Sequence, residues 1–188
     1  MEAHKRYAQL RSIAHSCTLK LFQSIYPTLL LGNISQEPNN DPIKAWRETW
    51  TPESRHPASA HWDWEKLVKQ RNADPKQFQV AIWEHCSHEH CPKRKLHALA
   101  IGRTPSSGRS VRIEYIESHP VVDNPFKGSI FPIVHTALIY YGFILKAKRV
   151  EIINPLPTLV RFYRSHGYAF EENVAGMPSG RLYLDIGE

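Results

Sequence analysis

The spacing of apolar positions changes along the chain, and each change marks a new element. From Tyr7 they recur at Leu10, Ala14, Cys17 and Leu21, the spacing of an amphipathic helix. A helix is predicted over about 5–25, halted before Pro27 because proline disfavours helical backbone in the residue ahead of it. Cys17 falls on the core face of that helix. Residues 32–61 are turn-rich, with Gly32-Asn33, Pro38 to Pro42, Pro52 and Pro57. They read as a long surface connection holding one short helical candidate, Ile43–Trp50. A second helix opens at His61-Trp62-Asp63-Trp64 and runs to about 71, with Asp63 near the positive end of its dipole. After Asp74-Pro75 the period becomes two. Phe78, Val80 and Ile82 alternate with Gln79 and Ala81, which predicts a strand over about 77–84. A second strand runs from Leu96 to Gly102, with Leu96, Ala98 and Ala100 expected on one face. The Thr104–Gly108 turn leads to a third, Val111–Ser118. The three form an antiparallel meander. A helix (131–147), a strand (148–153), a helix (156–166) and strands near 168–174 and 180–186 follow. Strands that feed helices and return to strands require at least one parallel pair. The expected class is a mixed α/β (α+β) sheet with flanking helices.

Composition narrows the picture. The 188 residues read as a single domain, 1–188, with a helical, loop-rich segment at 1–74 and the sheet in 75–188. Hydrophobic content of 41% and charged content of 22% support a core and exclude wholesale disorder. A net charge of +6 fits a mildly basic surface or a basic groove for a phosphorylated ligand or nucleic acid. The longest basic cluster, Lys93-Arg94-Lys95, is too short to decide for nucleic acid. Three cysteines suggest no disulfide framework and fit a reducing cytosol, so a cytoplasmic location is expected. No run reaches the roughly 18 apolar residues of a membrane span. Lys20, Gln23 and Pro27 break up the N-terminal apolar run, which argues against a secretory signal.

Two clusters carry candidate chemistry. His85-Cys86-Ser87-His88-Glu89-His90-Cys91 holds zinc's preferred ligand types. Its cysteines lie five apart and no second ligand pair follows, so it reads as a solvated hairpin tip, with a structural metal or a redox pair as alternatives; no metal is expected. Trp46, Trp50, Trp62 and Trp64 either cap the core or line a pocket.

The stretch Asn124–Gly167 organises the rest. Ile113–Pro120 ends a strand in His-Pro, Lys127-Gly128-Ser129-Ile130 opens a helix, Val150–Asn154 ends a strand in Asn, and Phe162-Tyr163 precede Gly167. In order and spacing this resembles the core of the GCN5-related N-acetyltransferases. The likeness covers about a third of the chain strongly, and the flanking strands agree in order.

That resemblance implies acetyl transfer from acetyl-CoA, as cosubstrate, to a primary amine. It places the cofactor where the strand ending at Ser118 splays from its parallel neighbour. The N–H groups of Lys127, Gly128, Ser129 and Ile130 would face a diphosphate, where a helix start favours negative charge. Backbone at Ile116, Glu117 and Ser118 would hold the thioester. Asn154 would contact the pantetheine, and Tyr163 would protonate the thiolate, a phenol pKa near 10 being close to a thiol's. Glu117, then Glu114, is the expected base, with His119 as another; strict alternation sends the two glutamates to opposite faces. The four tryptophans become the expected acceptor pocket in segment 1–74. A small amine, a protein lysine or aminoacyl-tRNA would each serve as acceptor, with the protein a monomer or homodimer and no membrane partner. The loop departs from the family pattern: Pro125 stands at its start and Ile130 at its last small position. A decayed binding module for an acidic protein or RNA is therefore the alternative. The chain also begins with a helix where the family usually begins with a strand.

Overall fold

A computed structural model describes residues 2–34, 42–86, 94–120 and 123–187. Most of the His85–Cys91 cluster lies outside them. Among the described residues no group of three or more His, Cys, Asp or Glu is placed to hold a metal ion, and no helix is long and apolar enough to cross a membrane.

The N-terminal pattern forms helix α1 (Glu2–Phe22), and the chain then enters a short strand, β1 (Leu29–Gly32). The sequence reading missed β1, because four residues are too few to show a period. The helix thus precedes the first strand of the sheet. Next come α2 (Pro42–Thr49) and α3 (Trp64–Arg71). Asp63 caps α3, its side chain accepting the Lys66 N–H, which satisfies a donor that the first helical turn leaves unbonded. The meander is β2 (Phe78–His85), β3 (Arg94–Arg103) and β4 (Ser110–Ser118). Helix α4 (Ile130–Ile144), β5 (Arg149–Ile153), a 3₁₀ turn (Pro157–Leu159), α5 (Val160–Arg164), β6 (Ala169–Glu171) and β7 (Arg181–Asp185) follow.

The strands form one seven-stranded sheet in the order β1-β2-β3-β4-β5-β7-β6, antiparallel throughout except for the parallel pair β4–β5. A hydrophobic layer covers each face. On one, α1 and α4 cover Val80, Ile82, Ala98, Ala100, Val111 and Ile113. On the other, α2 and α3 cover Ala81, Trp83, Leu96, Leu99 and Ile101. Helix α4 is apolar almost all round because α1 packs over it. So segment 1–74 is divided between the two faces, α1 lying opposite α2 and α3.

Two bulges override the alternation read from sequence. Ile82 opposes Ala98 but Trp83 opposes Leu96, leaving His97 as the extra residue. Leu96 therefore joins the α2–α3 layer while Ala98 and Ala100 face α4, and the expected single face of Leu96, Ala98 and Ala100 is corrected. Likewise Ile101 opposes Tyr115 and Gly102 opposes Ile113, leaving Glu114 extra. An extra residue shifts the alternation by one position. Gly102 makes this approach possible: a Cβ there would lie 1.7 Å from the Arg112 carbonyl oxygen.

Buried polar groups tie α1 to the sheet. The Arg11 Nε donates to Asn33 Oδ1 at 2.8 Å, and its Nη1 donates to the Pro75 and Gln77 carbonyls, both at 3.0 Å. His15 Nε2 donates to the Gln79 carbonyl at 2.9 Å. Burial pushes the His15 imidazole down to about 4. The unfolded chain then binds a proton near pH 6.5 that the folded chain refuses, so the stability carried by neutral His15 is present above that pH and is lost as pH falls toward 4. The linkage is on the order of 3 kcal/mol. Melting temperature should decline between pH 6.5 and 4, and His15→Gln should flatten that decline; an equal slope in the variant would overturn the assignment.

Candidate active site

The site is built by the separation of β4 from β5. The two pair only over Ser110–Ile113 with Arg149–Ile152. The paired part is clamped by Glu151, 2% exposed, whose carboxylate accepts from Arg112 at 2.6 Å and Arg181 at 3.3 Å. Beyond the Glu114 bulge, β4 continues to Ser118 paired with β3 but without β5 on its other edge. On that side alternate residues turn backbone N–H and C=O groups toward the gap rather than toward a strand.

A cleft opens on each side of this free end, and both are lined by Ile116 and Ser118. The first, of about 500 Å³, reaches along the start of α4 to Lys127, Gly128, Ile130 and Phe131, with His119, Asn124, Phe162 and Tyr163 on its walls and Leu159 shared with the second. The second, of about 300 Å³, is walled by His56, Ala58, Ser59 and Trp62 from the α2–α3 connection and by Leu156, Thr158 and Leu159.

The loop before α4 is shaped by Asn124. Its Oδ1 accepts the Phe126 N–H at 2.9 Å and its carbonyl accepts the Lys127 N–H at 3.0 Å, a turn to which Asn before Pro is suited. The Ser129 N–H donates to the Phe126 carbonyl at 2.8 Å. Two of the four donors expected for a diphosphate, Lys127 and Ser129, are thus used inside the turn. The Ser129 hydroxyl lies 2.6 Å from the Tyr26 hydroxyl. Gly128 and Ile130, with Phe131, remain as helix-start donors lining the cleft. Gly128 has φ +82° and a Cβ there would meet nothing within 4 Å. Its need is conformational, and the open space beside it is the cleft. Ile130 does not close that space.

The candidate catalytic groups fall in different settings. Glu117 is 5% exposed and its carboxylate is fully engaged. Arg55 Nε donates to Oε1 and Nη2 to Oε2, each at 2.7 Å; Ser59 Oγ donates to Oε1 at 2.7 Å and Trp64 Nε1 to Oε2 at 2.6 Å. Glu114 pairs with Arg71 at 2.6 Å and Arg103 at 2.8 Å. Arg71 and Trp64 both belong to α3, so the bulge has put both glutamates on one face, not on opposite ones. The His119 ring packs edge-on to Trp50 at 5.3 Å, and the backbone N–H of His119 donates to the His97 carbonyl at 2.7 Å. Burial, with smaller contributions from His97 and Lys95, pushes its imidazole down to about 4. Tyr163 is 5% exposed against Phe131, and burial pushes its phenol up to about 12, farther from a thiol than its sequence alone suggests. Asn154 turns away from both clefts. With φ +50° it ends β5 and its Oδ1 accepts the Ser179 N–H at 3.3 Å.

The tryptophans divide. Trp64 and Trp50 are buried in the α2–α3 layer, Trp46 packs beside them with the Arg55 guanidinium 5.3 Å from its ring centre, and Trp62 lines the second cleft. Sequence reasoning missed Arg55, which lies in a turn-rich stretch far from β4 and carries no local signal for its partner. It also missed Leu156 and Leu159, for which two leucines beside Pro155 and Pro157 were the available sign.

No family model matches the sequence, and no curated protein matches it. Solved structures do match its shape. A chimera of the spermidine N-acetyltransferase from Vibrio cholerae aligns at TM-score 0.55 and 16% identity, over 85% of this chain and 96% of its own. Ard1 from Thermoplasma volcanium aligns at TM-score 0.54 and 12% identity, over 86% and 99%. The N-acetyltransferase PseH from Campylobacter jejuni aligns at 0.52 and 10%, over 85% and 99%. The chain has the fold of the GCN5-related N-acetyltransferases. The order of its strands and the separation of β4 from β5 are the features of that fold on which its clefts depend.

Proposed function

We propose that the protein is an acetyl-CoA-dependent N-acetyltransferase acting on a primary amine. The observation that carries this reading is the pair of clefts that share Ile116, Ser118 and Leu159, one running to a helix start and the other bounded by the α2–α3 connection. Two substrates entering from opposite sides would meet at one strand end, which is the proximity a direct transfer requires.

The residues present fit the cofactor. Gly128, Ile130 and Phe131 offer backbone donors at the positive end of the 15-residue helix α4, and exposed Lys127 adds charge beside them. Acetyl-CoA supplies an activated thioester. The overall transfer forms an N–C amide bond, breaks the C–S bond and moves one proton from the amine to the thiolate. Backbone groups of Ile116 and Ser118 orient the acyl end. Tyr163 stays protonated across the physiological range and donates a hydrogen bond toward the sulfur; Tyr163→Phe should lower kcat about 10²-fold with little change in acetyl-CoA affinity. Both glutamates are held by arginines, and burial that pushes His119 down to about 4 leaves it a weak base in the first cleft. The amine therefore enters as the free base and gives up its proton to solvent in the cleft.

Calorimetric titration with acetyl-CoA, followed by an assay of thiol release, tests the reading. Micromolar binding and amine-dependent release are expected; absence of binding at millimolar ligand would leave a fold without the activity.

A further inference from the structure

We infer that the acceptor is a small primary monoamine carried on an aromatic or aliphatic body, not a polyamine. This rests on the transferase reading above and concerns the second cleft. Three observations carry it.

The first is charge. Among the described residues Glu117 is the one acidic residue lining that cleft. Its carboxylate is spoken for by Arg55, Ser59 and Trp64. A buried carboxylate already matched by a guanidinium and two further donors has no remaining acceptor direction for a second cation. A polyamine brings several ammonium groups and would have to desolvate them with no anion to receive them. The net charge of +6 adds a long-range term of the same sign.

The second is the character of the walls. Trp62 is half-buried, braced edge-on by Tyr115 at 5.1 Å between ring centres. Across the cleft stand Leu156 and Leu159, 40% and 37% exposed. Large apolar side chains held open to solvent on both walls suit a flat or branched apolar body.

The third is size. At about 300 Å³ the cleft is at the small end of ligand pockets, room for one ring system and a short arm.

The same features serve the chemistry. An amine must be neutral to attack a thioester, and an apolar slot without a counter-anion lowers an ammonium's pKa. A free carboxylate would do the reverse and hold the proton on.

Tryptamine and spermidine are the probes, compared by thiol release at saturating acetyl-CoA. A kcat/KM for tryptamine at least tenfold above that for spermidine is expected, and any lower ratio overturns the inference. Trp62→Ala should raise the tryptamine KM at least tenfold; an unchanged KM also overturns it. Thr158→Glu, at an exposed wall position, introduces an unmatched carboxylate and should lower the tryptamine-to-spermidine ratio at least tenfold. Acetyl-CoA binding, measured separately by calorimetry, separates the failures. If acetyl-CoA binds and spermidine is preferred, only the acceptor inference falls; if acetyl-CoA does not bind, both readings fall.

Discussion

Arg55→Ala is expected to lower the melting temperature by about 10 °C. The guanidinium and its partner Glu117 are 3% and 4% exposed at their side chains, so removal of one leaves a charge buried without its match. Breaking such a pair costs about 3–5 kcal/mol, and for a chain of this length each kcal/mol moves the melting temperature by roughly 2–4 °C. Arg55 also donates to the Ser59, Ala60 and Trp62 carbonyls, so it shapes the loop as well as matching the charge. Replacing both partners together, Arg55→Met with Glu117→Leu, removes the stranded charge and should recover part of the loss. The recovery distinguishes a charge-matching role from simple packing. A shift under 2 °C in Arg55→Ala would contradict the arrangement described above.

The second large effect is on ligand binding. Gly128→Val should weaken acetyl-CoA binding at least 100-fold while the protein stays folded. The backbone at φ +82° is one that side chains rarely adopt, and a branched residue there is strained by about 1–2 kcal/mol. A Cβ there meets no protein atom within 4 Å, so the fold should tolerate the substitution, and the added side chain should project into the cleft beside the α4 donors. Calorimetry and a melting curve on the same sample read the two effects apart. Undiminished acetyl-CoA affinity in the variant would place the diphosphate elsewhere.

Much of the fold was legible because its elements are long and strongly periodic. The spacing from Tyr7 to Leu21, the alternation from Phe78 to Ile82 and the apolar run after Ile130 each reproduce an observed element within a few residues. The Asn154 and Glu117 roles were legible only by resemblance, and the structure gives both side chains other partners. Asn154 caps a strand end against Ser179, and Glu117 anchors a loop through Arg55. Residue type at a strand end says which chemistry is available there, not which neighbour arrives to use it.

By itself the sequence determined the order of the longer elements, a mixed sheet with at least one parallel pair, and the position of a glycine turn at a helix start. These follow from local periods and backbone preferences, which act over a few residues. Only the tertiary structure decided the two bulges, the matching of Glu117 by an arginine 62 positions away, and the division of the tryptophans between core and cleft. Each of these depends on which strand lies beside which and in what register, and a one-residue change in register exchanges the faces of every residue beyond it.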